Sequence, residues 1–178
     1  TCANANGVSA DTINLNGQTV TLTASFADYD GATGLPRVET PITLRNGTIT
    51  RSGSNQFRLL QVGPAGNLMV RDMSLTNGGG ATYPGMGGNL NANTGSELTL
   101  INTVVSAATV GNSFNAGGIF ASGTFTMANC TVSGNTAGRG AGLALQNGPA
   151  LITNSVISGN VATSILGGGA KGIAHEQK

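Results

Sequence analysis

Charged side chains are scarce in this chain. Asp, Glu, Lys and Arg make up 8% of its 178 residues, against roughly 25% in an average soluble protein. Glu occurs three times and Lys twice, too few for a helix bundle built on the strong helix formers. The net charge of +1 lacks the basic excess of a nucleic-acid binder. No apolar run approaches the ~20 residues of a membrane-spanning helix. Two cysteines are too few for a disulfide framework. Trp is absent and aromatics are 4%, yet hydrophobic residues are 39%, so the chain is not of the charged, core-poor kind that stays disordered. Thr1 in place of Met implies a processed, trimmed or fragmentary chain.

Glycine, asparagine and threonine are abundant, at 29, 19 and 22 residues. They belong to a β-rich chain of many short turns. A motif recurs. It reads Ile42-Thr-Leu44-Arg-Asn46-Gly-Thr-Ile49-Thr50, then Leu68-Met-Val70-Arg-Asp72-Met-Ser-Leu75-Thr76. It returns around Asn102, Asn129 and Asn154. A weaker first copy is Ile13-Asn-Leu15-Asn-Gly17-Gln-Thr-Val20-Thr21. The anchors 17, 46, 72, 102, 129 and 154 lie 29, 26, 30, 27 and 25 residues apart. A drifting period of this length is that of a solenoid with variable loops.

Within each copy apolar and polar residues alternate, as in a strand. The alternation changes phase at the anchor: apolar residues sit at −4 and −2 before it and at +3 after it. Two short strands joined by a bend explain this, and Asn tolerates the left-handed backbone that the bend needs. A third strand follows a glycine pair or its near equivalent, at Gly87-Gly88-Asn89-Leu90, Gly117-Gly118-Ile119-Phe120 and Gly140-Ala141-Gly142-Leu143-Ala144-Leu145, and Arg58-Leu59-Leu60-Gln61-Val62 matches without glycine. The expected fold is all-β, a parallel β-helix of about six coils with three short strands per coil. Six coils make a rod about 30 Å long. Residues 1–178 read as one domain: a lead-in over 1–10, coils over 11–170 and a polar tail over 171–178. The anchors Asn46, Asp72, Asn102, Asn129 and Asn154 are expected to form a structural ladder, with side chains bonded from coil to coil inside the bend.

The stretches Asn-Cys-Thr-Val-Ser-Gly-Asn at 129–135 and Asn-Ser-Val-Ile-Ser-Gly-Asn at 154–160 resemble the strands of secreted bacterial right-handed parallel β-helix repeat proteins. Gly117-Gly118-Ile119-Phe120 is similar to the repeats of polymorphic outer-membrane proteins. Residues 10–15 and 30–36 are similar to large exported, autotransporter-like repeat proteins. The resemblance covers most of residues 10–160. It implies right-handed coils and an extracellular or bacterial cell-surface location, and it implies no particular activity. The leader Cys-x-Leu-Arg-(Asp/Glu)-Ala of such proteins is not matched, because Cys2 is followed by Ala3-Asn4-Ala5-Asn6.

A polysaccharide lyase or hydrolase on this scaffold needs paired carboxylates, or Ca²⁺ with a basic proton acceptor. The strands that follow the glycines carry neither. Arg139 is the one charged residue between 98 and 170. No catalytic residue and no enzymatic activity are therefore expected. Asp28-Tyr29-Asp30-Gly31 has the opening spacing of a calcium loop but no later Glu, so Asp28 and Asp30 are metal candidates against a plain Asp/Gly turn, and no other cofactor is expected.

Five of the eight cations lie between Arg37 and Arg71. Arg45, Arg51, Arg58 and Arg71 are candidate ligands for an anionic glycan or phosphate, against a plain balance by Glu39, Asp72 and solvent. Arg45 and Arg71 hold the same place in consecutive coils. Outward Thr, Ser and Val after each bend, such as Thr48/Thr50 and Thr131/Ser133, form a flat face that is either an ice-binding ladder or ordinary β-propensity. Cys2 and Cys130 stand about five coils or about 24 Å apart, too far to pair.

The expected role is a non-enzymatic extracellular structural or adhesive module. The ends of a β-helix are open strand edges, so its partner is another copy stacked head-to-tail into a fibre, or flanking coils of a longer protein. The alternatives are a carbohydrate-binding or polysaccharide-degrading β-helix and, behind these, an ice-binding face.

Overall fold

The computed structural model describes residues 10–26, 31–80, 86–111 and 115–164. They form an all-β parallel solenoid of about five turns, with three parallel sheets. The largest sheet holds ten strands: β1 (Asp11–Asn14), β2 (Thr19–Leu22), β3 (Pro41–Arg51), β5 (Asn67–Thr76), β8 (Glu97–Ile101), β9 (Val104–Ser106), β12 (Thr124–Ala128), β13 (Thr131–Ser133), β16 (Ala150–Thr153) and β17 (Val156–Ser158). The second sheet is β4 (Leu60–Val62), β7 (Leu90–Ala92), β11 (Ile119–Ala121) and β15 (Leu143–Leu145). The third is β6 (Gly79–Gly80), β10 (Thr109–Val110), β14 (Thr136–Ala137) and β18 (Val161–Ala162).

The anchors sit where the sequence period puts them. Asn46, Asp72, Asn102, Asn129 and Asn154 all have left-handed φ, between 47° and 59°. The large sheet turns at this column, through unbroken strands in β3 and β5 and through strand pairs thereafter. Its two arms are therefore one sheet. The count of three per coil is completed by the two-residue strands of the third sheet, which the periodicity did not mark. The large sheet has six rungs and the other two have four each, so the expected six coils are about five complete turns.

Register follows the hydrophobic pattern. Leu44, Val70, Leu100, Met127 and Ile152 form one inward column. Ile49, Leu75, Val105, Val132 and Ile157 form another. Leu60, Leu90, Ile119 and Leu143 close the core from the second sheet. Each fully buried Leu, Ile or Val contributes roughly 1.5–3 kcal/mol relative to exposure. The first copy departs from the expected alignment. Ile13 pairs with Leu44, not with Ile42, and Asp11 takes the place opposite Ile42. The cause is a longer bend: Leu15 to Gln18 stand opposite Asn46 and Gly47 alone, and both Asn16 and Gly17 have positive φ.

A second left-handed column, Asn77, Ala107, Gly134 and Gly159, turns the chain toward the third sheet. Behind it lies a buried stack of amides. Asn160 Oδ1 accepts from Asn135 N, Asn135 Oδ1 accepts from Ala108 N, and Asn89 Oδ1 accepts from Gly78 N. Asn135 and Asn160 follow Ser-Gly in their own coils. Position 108 is Ala, and Asn89 enters from the corner before β7 to fill that coil's place in the stack. Glycine is required beside it: a Cβ on Gly142 would lie 2.6 Å from Asn160 Nδ2, and one on Gly118 would lie 2.5 Å from Gly142 O. This is the physical origin of the glycines that precede the second-sheet strands.

Candidate functional site

Arg45 and Arg71 are direct neighbours in adjacent rungs, and both are exposed. Asp72 binds Asn102 Nδ2 through Oδ1 and Arg71 Nε through Oδ2, each at 3.1 Å. These two bonds, Asn102's first, hold the Asp72 carboxyl below its ordinary value; the charges of Arg71 and Arg45 act in the same direction, against a desolvation cost. The side chains of Asn46, Asp72, Asn102, Asn129 and Asn154 are all exposed, on the outside of the bend and not inside it. Their common property is the left-handed backbone, and the Asp72–Asn102 bond joins one step of the column.

The four candidate arginines do not converge. Arg51 lies at the far end of its strand, six residues beyond Arg45. It donates to the carbonyls of Asn77, Gly53 and Asn55 and lies 5.8 Å from the Phe57 ring centroid, bracing a loop. Arg58 is buried, beside the bridge to Thr33. Only Arg45 and Arg71 remain as a matched surface pair. Asp28 and Asp30 lie outside the described residues, as do Cys2 and the tail beyond residue 164. Among the described residues no three His, Cys, Asp or Glu side chains are grouped to hold a metal.

The outward hydroxyl columns form as spaced. Thr21, Thr50, Thr76, Ser106, Ser133 and Ser158 are successive partners, as are Thr19, Thr48, Ser74, Val104, Thr131 and Val156. Inside the bend a smaller ladder runs through Thr103, Cys130 and Ser155. Each side chain donates to the carbonyl two residues earlier. Cys130 Sγ and Ser155 Oγ also accept a backbone N–H from the preceding coil. Cys130 is thus an inward residue, as its position predicts, and burial raises its thiol pKa.

The second sheet carries two recesses. The column on the side away from the core is Gln61, Asn91, Phe120 and Ala144, the first three of them buried. The turns after β7, β11 and β15 stack beside it, each bonded through its backbone to the coil before. Their side chains form a polar wall: Thr94 Oγ1 and Ser122 Oγ are 2.9 Å apart, and Asn147 Nδ2 donates to Ser122 Oγ at 3.5 Å. Asn91 Nδ2 donates to Asn93 Oδ1 at 3.2 Å. A recess of about 400 Å³ lies over Asn91, Asn93, Thr94, Ser122 and Asn147. A neighbouring recess of about 260 Å³ ends at Asn115 and Arg139, and Phe120 and Gln146 line both. This column holds neither acid nor base and so is absent from the sites that the sequence predicts. The available signal was an Asn and a Phe at one outward strand position, where the large sheet carries Thr, Ser and Val.

An apolar recess of about 240 Å³ lies at the first rung, among Leu15, Val20, Leu35, Ile42, Leu44 and Ile49. No known protein family, no curated protein and no solved structure matches this chain.

Proposed function

We propose that the protein is a non-enzymatic extracellular structural and adhesive module, akin to exported bacterial repeat proteins, that extends by stacking coil on coil at its ends. The supporting observation is the pairing of the end rungs. Among the described residues, β1 and β2 pair only with β3, and β15, β16, β17 and β18 each pair on one side. The first rung borders the apolar recess. At the other end Ile152 and Ile157 continue the inward columns but are only partly buried. Leu151, Val156 and Val161 are more than half exposed. Unpaired parallel edges template further strands, and a rung that matches its neighbour's register matches the first rung of another copy. Contact of one end with the other is heterologous, which generates an open filament when the rotation does not close.

Light scattering and negative-stain microscopy test this. Oligomers or fibres that lengthen with concentration are expected. Paired lysines on exposed positions of each end rung, Ile13→Lys with Thr19→Lys and Val156→Lys with Val161→Lys, are expected to keep the protein monomeric. A wild-type monomer at high concentration, without fibres, would withdraw self-association and leave flanking coils of a longer protein as the occupant of these edges.

A further inference from the structure

We infer that the groove across the outer face of the second sheet binds a neutral oligosaccharide. Four observations converge on it. The two recesses over Phe120 and Gln146 have volumes of about 400 and 260 Å³, the larger within the range of ligand sites and the smaller just below it. The groove crosses the stacked coils from Pro64 to Asn147, three strand spacings or about 14 Å. Its larger recess is lined by amides and hydroxyls together with Pro64, Met86 and Phe120, with no charged side chain among the described residues. Asn91, 3% exposed, borders this recess, and its Oδ1 accepts no hydrogen bond within the protein. That oxygen is closed to solvent, so a ligand hydroxyl reaches it only when the Asn91 amide turns outward, which relieves the desolvation cost of an unpaired carbonyl oxygen.

The chemistry selects the ligand class. Asn93, Asn147 and Gln146 each present a donor and an acceptor, and the Thr94 and Ser122 hydroxyls do the same. Adjacent sugar hydroxyls have the same dual character. The wall repeats once per coil, close to the length of one hexose unit, so successive units of a chain meet equivalent groups. Phe120, 5% exposed, borders both recesses and gives the groove an apolar edge between them. A phosphate or carboxylate ligand finds no compensating charge until Arg139, at the far end. This binding is independent of whether the ends of the solenoid self-associate.

The test is an NMR titration of the ¹⁵N-labelled full chain with four neutral probes: cellotetraose, xylotetraose, maltotetraose and chitotetraose. Saturable shifts are expected for at least one of them, centred on the side-chain amides of Asn91, Asn93 and Asn147. Asn147→Gly, which tolerates the left-handed φ of 65° at this position, and Ser122→Ala are each expected to weaken that binding about tenfold, the worth of one good hydrogen bond, with the fold retained. Asn91→Leu removes the orphan acceptor and is expected to weaken it at least as much. Arg45→Ala, on the other sheet, is expected to bind as wild type. No saturable shift with any probe at millimolar concentration would overturn the proposal. So would shifts indifferent to the groove variants, or saturation of the groove by a short neutral peptide and by none of the sugars.

Discussion

Asn135 donates both its backbone N–H, at 3.0 Å, and its side-chain amide, at 2.9 Å, to Oδ1 of Asn160 one coil away. The same Asn135 side chain donates to the carbonyls of Val105 and Ser133 and accepts from Ala108 N. One fully buried amide therefore joins three coils. Asn135→Leu leaves the Ala108 N–H unpaired in the interior and takes a donor from the Val105 carbonyl. Each such group costs roughly 1–3 kcal/mol, so the variant is expected to lose at least that much, read from denaturant melts. A loss under half a kilocalorie would show that water replaces the amide at this corner.

The outer column behaves differently, because what it contributes is backbone conformation. Asn129 has φ 55° and an exposed side chain. Asn129→Ala is expected to cost about 1 kcal/mol, the strain of a left-handed Ala, while Asn129→Gly is expected to be close to neutral. Chemical denaturation of both variants checks this. Equal losses would mean that the amide itself, and not the bend, is what stabilises the rung.

Val132 and Thr131 are adjacent on β13 but face opposite ways. Val132 is fully buried between Val105 and Ile157, whereas Thr131 stands in the outward column. Val132→Asp buries a charge with no partner and is expected to unfold or aggregate the protein. Thr131→Asp is expected to be mild. Circular-dichroism melts that found the two equally harmful would refute the strand phase.

How far the fold was legible follows from the length scale of each interaction. The period-2 alternation and the phase change at Asn46, Asp72, Asn102, Asn129 and Asn154 are local, so they fixed both arms and their register in five of the six rungs. The first rung slipped because its bend holds Asn16 and Gly17 together, and a repeat match by apolar spacing does not see an insertion. The Asn89–Asn135–Asn160 stack was invisible for another reason: Asn89 joins it from the opposite corner of the coil, 46 residues from its partner Asn135. The groove was missed because its groups are neutral. Asn91 and Ser122 carry no motif, and only the stacking of turns brings them together. Arg58 looked like a surface cation by spacing, but the bridge to Thr33 folds it inward.

Asp72 makes one acid-sensitive step in the outer column. Asn102 and then Arg71 hold its carboxyl below the ordinary value of 3.8. A carboxyl depressed in the folded state contributes fully above its unfolded value, and that contribution is lost as pH falls from 3.8 through the folded value. Asp72→Asn tolerates the same left-handed φ but does not titrate. Its melting temperature is expected to fall less steeply than that of wild type below pH 3.8, and the two curves are expected to run parallel above it. Parallel curves throughout would show that Asp72 is solvated too well to be coupled to folding.

Ala107 is the misfit of the second left-handed column. Its φ is 54°, and the equivalent positions in the next two coils are Gly134 and Gly159, at 63° and 62°. Its backbone N–H bonds to Ser133 O, so the conformation is held by coil stacking and not by the residue's own preference. A left-handed alanine carries roughly 1–2 kcal/mol of strain, while glycine has roughly 0.5–1 kcal/mol more chain entropy to lose on folding. The first effect is the larger, so Ala107→Gly is expected to stabilise the protein, by about 0.5 kcal/mol. Ala121→Gly is the control: it sits in a buried strand position without positive φ, and the same change there is expected to destabilise through lost packing. Side-by-side denaturant melts distinguish the two. Destabilisation at both sites would mean that the Ala107 methyl contributes packing that outweighs its backbone strain.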